Sequence, residues 1–416
     1  MRRYLNDGHL RLRDRVRSFA EARIAPIARE LDEKSRFPWE TVREMAEMGL
    51  LGVTAPRELG GLGLDFLSYV LVVEELARVD ASHSITVAAH TGLCLSPIMS
   101  LGDDDQKRLF VPPLAKGEVI GGFGLSEPGS GSDVAAMTTR ARREGDSYSI
   151  SGAKIFITHA GVGQVMVVTA VTDPEAGARS LSTFVVCKHI CDDERAAASA
   201  SGWTHPTLPR TAGVVPGVKD DKMGWRASDT RELFFDNVRV PAEFRLGAEG
   251  AGLGNALHTL TAGRIAVAAL SLGLAQGALD VAAAYATRRE QFGRKIIDFQ
   301  QVGFRLADLA TEIEAGRHLT YHAAWLKDRG HPFEREASMA KLFCSELAMR
   351  AAHGAIQTLG AAGYTSDHPV ERIMRDAKVC EIGEGTSEIQ RLILSRLLTR
   401  ETTAILDAEA ASFGAA

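Results

Sequence analysis

Aromatic residues make up only 6% of the 416-residue chain, and no block of Lys or Arg stands apart from its acidic neighbours. Without aromatic platforms or a basic stripe there is little to stack bases on or to neutralise a phosphate backbone, so nucleic-acid binding is disfavoured. The five cysteines (Cys94, Cys187, Cys191, Cys344 and Cys380) are too few, and odd in number, for a disulfide framework. They read as reduced thiols of a cytosolic, cytoplasmic chain. No apolar run approaches the ~20 residues of a membrane-spanning helix. A GxxxxGK[ST] loop is missing, and Gly250-x-Gly252-x-x-Asn255 lacks both the third glycine and a strand-to-helix setting. A nicotinamide enzyme and a P-loop NTPase are therefore disfavoured. Cys187, His189, Cys191 and the downstream His205 raise a metal site, but the tight cysteine knuckles of structural zinc are not there. The plainer reading is a strand end running into a loop, with no metal.

What is present is ordinary globular material, 45% hydrophobic and 24% charged, with a net charge of −5. The length exceeds a usual single core, so two or three domains are expected. The Arg-rich N-terminus carries acids too, and Leu10, Leu12, Val16, Phe19, Ala20 and Ile24 fall at helical spacing. An amphipathic helix ending before Pro26 accounts for it better than a targeting peptide does.

Three regions follow from the periodicity. Residues 1–118 form an N-terminal helical domain, with apolar i, i+3, i+4 spacing in 39–48, 66–79 and 106–115. Residues 119–245 form a small, mainly antiparallel β domain, its strands at 147–151, 154–158, 165–171, 181–187 and 232–240. Within it, about 189–212 breaks the pattern and is expected to be an inserted surface loop. Residues 246–400 return to long helices at 262–287, 300–328, 335–359 and 387–400, a C-terminal four-helix bundle that also packs on other subunits. Residues 401–416 form a fraying, Ala-rich tail. The fold class is thus mainly α with a central β domain.

Four clusters carry candidate chemistry. Gly121 to Asp133 is a Gly/Ser-rich loop whose backbone and hydroxyls can approach a planar polar ligand, although such runs are commonly just loops. Ser151 to Thr158 reads as a strand. Gln357 to Tyr364, with Glu371, Arg372, Arg375 and Asp376 beyond it, is the third. In the fourth, Ile382 to Arg391, Ser387-x-x-Gln390 forms a capping box before Ile389, Leu392 and Ile393. Glu384 lies in a glycine-flanked turn ahead of that helix, either complementing its dipole or acting as a base facing a pocket.

In order, the runs L-S-E-P-G-S-G-S-D, K-I-F-I-T and E-G-T-S-E-I-Q-R resemble the acyl-CoA dehydrogenase family, over nearly the whole chain to about Arg400. The resemblance implies FAD as cofactor, an acyl-CoA substrate, and electrons passed to electron transfer flavoprotein from a homotetramer built as a dimer of dimers. It implies that Phe123, Leu125, Ser126 and Ser132 line the flavin, with Ser132 also near the pantetheine arm. Phe156 stands where many relatives have Trp on the isoalloxazine, and Thr158 matches the hydroxyl at flavin N5. Arg289, Gln291, Phe292 and Gln300, with Gln357, Gly360 and Ala361, match segments reaching a neighbouring subunit's FAD; Ala361 replaces the usual glycine. Thr386 and Glu388 match FAD contacts. Thr261, Arg264 and Gly385 match the substrate side, Thr261 replacing an acidic residue. Glu384 matches the catalytic base. In a minority of relatives the base sits at the position of Gly263, which cannot serve, and Gly383 replaces a common Tyr.

The chemistry so implied is α,β-dehydrogenation of a fatty-acyl or branched-chain acyl thioester to the trans-2-enoyl-CoA. An acyl-CoA oxidase, a flavin monooxygenase or nitroalkane-oxidising relative, and a non-enzymatic helical scaffold are the competing readings. Thr259 to Ile265 looks like short-chain members, while chain length and branching rest on how helices near 90–101 and 254–264 pack.

Overall fold

Capping residues set where the first helices begin. Asn6 accepts from the His9 N–H at 3.0 Å while His9 Nδ1 accepts from the Asn6 N–H at 3.1 Å, a reciprocal cap that starts the helix Asp7–Phe19. The computed structural model describes residues 4–200 and 208–414. The first helix continues as a π-helical turn, Ala20–Ile24, and buries Val16, Ala20 and Ile24, spaced four apart, in the core. Asp65 caps Phe66–Ala77, all of whose residues are buried, including Glu74 and Glu75. Those acids tie the helix to its neighbours: Glu74 accepts from Arg317 at 2.9 Å and Tyr321 at 2.6 Å, and Glu75 from Arg17 at 2.7 Å. Buried charges need such partners to be tolerated.

The central domain is one eight-stranded sheet. Its strands are β1 (Gly121–Gly124), β2 (Arg140–Glu144), β3 (Ser147–Thr158), β4 (Val165–Val171), β5 (Leu181–Cys187), β6 (Val214–Lys219), β7 (Thr230–Pro241) and β8 (Arg245–Leu246). They run in the order β6-β7-β3-β2-β4-β5-β8, and β1 joins β4 in parallel at Gly121↔Val165. Most pairings are antiparallel, as the lack of crossover helices requires. The two runs read separately at 147–151 and 154–158 are one strand. It slips register against β7 at Ile150/Gly152 and again at Lys154/Ile157.

Four long helices form the C-terminal part: Gly252–Ala286, Gln300–Asp328, Glu334–Leu359 and Ser387–Gly414. The first begins ten residues before its expected start, because Gly252 and Gly254 do not stop a helix whose face packs on the sheet. The last runs through the expected tail to Gly414. Two further corrections concern the middle of the chain. The expected surface loop at 189–212 contains a helix, Asp192–Ala200, with Ala198 buried. Glu194 there accepts from Trp39 Nε1 at 2.9 Å and Asp193 pairs with Arg231 on β7 at 2.9 Å, so the insert is pinned both to the N-terminal helical domain and to its own sheet. His205 lies outside the described residues, among which no group of three or more His, Cys, Asp or Glu could hold a metal ion. Two helices, Ala81–Leu101 and Gly252–Ala286, are long and apolar enough to cross a membrane, where no such run was expected. Of their most apolar windows 72% and 78% respectively are buried inside the fold, which accounts for their composition.

Candidate active site

Glu384 occupies a backbone conformation that L-residues rarely adopt. Its φ is 54°, and Gly385 follows at 97°, so the chain turns through two left-handed residues just before the last long helix. Such strain in a non-glycine residue persists only where surrounding structure holds it, and it gathers at functional sites. The helix after the turn is capped by Thr386, not Ser387. Thr386 Oγ1 accepts from the Ile389 N–H at 3.3 Å, while Gln390 reaches back to the Gly385 carbonyl at 3.0 Å. The expected Ser387–Gln390 capping box does not form: Ser387 Oγ has no hydrogen-bond partner among the described residues, and Gln390 clamps the turn instead.

The turn aims the Glu384 carboxylate at the helix Gly252–Ala286. A Cβ on Gly263 would overlap Glu384 Oε2 and lie 2.9 Å from its carboxyl carbon. The residue as a whole is partly exposed, but Oε2 is shielded from solvent and has no hydrogen-bond partner among the described residues. Burial pushes the carboxyl up to about 7, against the pull of the Lys341 and Arg264 cations. Tyr69, from the helix Phe66–Ala77, feels the same charge and is pushed well above its ordinary value, burial being the larger cause. Its hydroxyl donates to the Ala88 carbonyl at 3.0 Å, where the π-helical stretch Ala88–Leu95 begins. Leu93 on that stretch would come within 3.2 Å of a Cβ at Gly263. Arg264, buried at 4% exposure, has Nη1 at 3.4 Å from Ser338 Oγ and no partner for Nε among the described residues. Thr261 spends its hydroxyl on the Leu257 carbonyl at 2.8 Å.

The Gly/Ser-rich loop is anchored from beneath. Lys154 on β3 is buried and donates to Glu127 at 2.8 Å and to the Leu125 carbonyl at 3.1 Å. Glu127 also accepts from the Thr138 and Thr139 N–H groups at 2.6 and 3.0 Å. Burial raises its carboxyl, but these partners outweigh it and hold the group down at about 2. Ser126 accepts from the Ile155 N–H at 2.9 Å, which joins the loop to β3. Leu125 is buried, Phe123, Ser126 and Thr158 are half-buried, and Ser132 is exposed. No atom would lie within 4 Å of a Cβ on Gly129 or Gly131. At the second register slip of β3, Phe156 has φ 57° and is 71% exposed, so the bulge turns its ring outwards.

The remaining expected residues lie elsewhere on the chain. Arg289, Gln291, Phe292 and Gln300 are all exposed, on and just after a short hairpin (Glu290–Gln291 with Arg294–Lys295) that follows the helix Gly252–Ala286. At 1.5 Å per residue, Gly263 is roughly 35 Å from Ala286 along that helix. Gln357, Gly360 and Ala361 are also exposed; Gln357 is roughly 24 Å along its helix from Lys341, which touches the base turn, and Gly360 and Ala361 lie just past that helix's end. Gly385 and Thr386 flank Glu384 and are half-buried, whereas Glu388 is exposed one turn on. Lys341, Tyr69 and Leu93 belong to the site but escaped the sequence reading. Lys341 had a legible signal, because it interrupts the buried stripe Ala337, Ala340, Cys344, Leu347 and Ala348.

The order helical, sheet and helical, with a shielded carboxylate between helices of the two helical parts, matches known proteins throughout. The acyl-CoA dehydrogenase N-terminal, middle and C-terminal domain models match residues 6–118, 122–238 and 250–399. The short-chain specific acyl-CoA dehydrogenase of Clostridium acetobutylicum is 43% identical over 389 residues, 94% of this chain and 97% of the relative. The butyryl-CoA dehydrogenase of Megasphaera elsdenii has a TM-score of 0.88 at 39% identity, covering 95% of this chain and 99% of that one. A chain from a structure described as electron transferring flavoprotein of Acidaminococcus fermentans reaches 0.89 at 42%, with the same coverage. The chain belongs to the acyl-CoA dehydrogenase family. It is an oxidoreductase, and its family is FAD-dependent.

Proposed function

We propose that this enzyme oxidises a short straight-chain acyl-CoA to the trans-2-enoyl-CoA, with Glu384 as the base that takes the α-proton. The observation that carries the reading is the Glu384 carboxylate itself, dry at Oε2, held in a left-handed turn and poised at about 7. A thioester α-proton is only weakly acidic, so a desolvated carboxylate of raised proton affinity is the better acceptor. The N–H of Glu384 is the protein's own donor to the thioester oxygen, where negative charge develops as the proton leaves. Arg264 supplies a fixed positive charge on the same side. Gly263 leaves the space that the carboxylate and the acyl chain share. The short-chain assignment leans on the named relatives, which act on short-chain and butyryl substrates.

Bound FAD would supply the hydride-accepting chemistry that completes the oxidation. The residues fit such a group. Phe156 offers an open ring face, Thr158 and Ser126 offer hydroxyls beside it, and Gly129 and Gly131 leave the loop free to be approached. Arg289, Gln291, Phe292 and Gln300 lie beyond the end of the helix that carries Gly263, and Gln357, Gly360 and Ala361 lie at and beyond the end of the helix that carries Lys341, both away from the base turn of their own chain. They are assigned to the FAD of a second copy, which supports a homotetramer of paired dimers. Electron transfer flavoprotein is the proposed acceptor; the matched chain from the Acidaminococcus fermentans structure supports it.

The test is anaerobic. The purified yellow protein should be bleached by butyryl-CoA far faster than by palmitoyl-CoA, and reoxidised by electron transfer flavoprotein rather than by O₂. Faster bleaching by the long chain would remove the short-chain reading, and rapid reoxidation by O₂ would make the enzyme an oxidase.

A further inference from the structure

Lys341 is buried at 0% exposure on the inner face of the helix Glu334–Leu359, an unusual place for an ammonium group. Its Nζ donates to the Gly385 carbonyl at 2.7 Å, the oxygen that Gln390 Nε2 also reaches at 3.0 Å. Donors from two helices thus hold one carbonyl, and that carbonyl belongs to the left-handed residue directly after Glu384. Burial pulls the ammonium down to about 8, so the cation still predominates at neutral pH. Of the two cations that draw the Glu384 carboxyl down against burial, Lys341 is the stronger and Arg264 the weaker.

We propose that Lys341 is the positioning residue of the base: it locks the turn that aims Glu384 and supplies the buried positive charge that keeps the carboxylate ionised until it takes the α-proton. This rests on Glu384 being the base. The charged and titratable groups around the pair come from every element packed on it. Arg264 faces from the helix Gly252–Ala286 and Tyr69 from Phe66–Ala77, while Cys380 and Glu381 face Lys341 from the end of Val370–Cys380. Of these, Arg264 is the only other cation, and it sits among Ser338 and Glu334 rather than on the turn. Removing Lys341 therefore leaves the Gly385 carbonyl with the Gln390 side chain as its donor and the carboxylate with one cation fewer. A lost positive neighbour raises a carboxyl's proton affinity, so the acid limb of the reaction moves to higher pH.

The experiment compares holoenzyme, Lys341→Met, Lys341→Gln and Lys341→Arg by two readouts. One is the pH dependence of flavin bleaching by saturating butyryl-CoA. The other, independent of turnover, is an infrared titration of the protonated-carboxyl band that is absent from Glu384→Gln. In Lys341→Met both midpoints should rise by roughly one pH unit, the low end for an opposite charge nearby. Bleaching at pH 7 should slow at least about fivefold, the fall in the ionised fraction when a midpoint near 7 rises by one unit, and Lys341→Arg should recover most of both. If Lys341→Met fails to fold, Lys341→Gln carries the same expectation for the midpoints. Unmoved midpoints in a folded charge-removing variant overturn the proposal, as does a slower rate with the wild-type pH profile, which would make Lys341 merely structural. Failure of the base reading looks different, since Glu384→Gln would then bleach like wild type while the infrared midpoint still responds to Lys341.

Discussion

Replacing Gly263 by Ala adds one methyl group where the structure has room for none. The new Cβ would overlap Glu384 Oε2 and stand 2.9 Å from its carboxyl carbon. Non-bonded heavy atoms rest about 3.5–4.0 Å apart, so the carboxyl group, led by the overlapping Oε2, must retreat by more than about 1 Å. It can do so cheaply, because the clash is with the tip of a flexible side chain, and Leu93 at 3.2 Å has only to give slightly. Helix propensity favours Ala over Gly by up to about 1 kcal/mol, so thermal stability should be unchanged or slightly higher. Reaction is far less forgiving, since a misplacement of about 1 Å can cost on the order of 10²-fold. Gly263→Ala should therefore retain FAD and fold normally, yet bleach with butyryl-CoA roughly 10²-fold more slowly at every pH. Stopped-flow bleaching beside a thermal melt decides the matter. A variant as fast as wild type would show that the carboxylate does not need the place the structure gives it, while a stability loss of several kcal/mol would show that the clash reaches the fold instead.

Three further outcomes follow from the same geometry. Phe156→Ala removes the exposed ring at the β3 bulge and should lower FAD retention after gel filtration while the melt of the apoprotein stays put; full occupancy would take Phe156 out of the cofactor site. Lys154→Met strands the Glu127 carboxylate beneath the Gly/Ser loop, a change that typically costs about 3–5 kcal/mol and is read by denaturant melts, whereas Lys154→Met with Glu127→Gln should recover much of it. Glu384, raised from the ordinary 4.5 to about 7, holds its proton more tightly folded than unfolded, so its stabilising contribution is whole below about 4.5 and lost as pH rises through about 7. Glu384→Gln should then be more stable than wild type above pH 7, by at most roughly 3 kcal/mol, and equal to it below pH 4.5; a melting difference that ignores pH would contradict the raised value.

Elements carried by strong periodicity were legible without coordinates. The spans Gln300–Asp328, Val165–Val171 and Leu181–Cys187 appear with the expected bounds. What escaped depended on contacts between distant residues. The helix Asp192–Ala200 has too little apolar surface to announce itself and is held by Trp39 and Arg231 from elsewhere in the chain. Thr386 caps the last helix because Gln390 is drawn to the Gly385 carbonyl, a choice no local pattern reveals. The motif carried Glu384, and the absence of a side chain at Gly263 pointed the same way. The environment that sets the Glu384 carboxyl was not written in the motif: Tyr69, Arg264 and Lys341 surround it from three other helices.

Glu384→Gln tests the central claim most directly, since it keeps the side chain's shape and hydrogen-bonding capacity but cannot take a proton. With FAD and butyryl-CoA still bound, stopped-flow bleaching of the oxidised flavin band should slow by at least ~10²-fold, the low end for loss of a general base. Bleaching at close to the wild-type rate would contradict the account and send the search to other carboxylates around the acyl pocket.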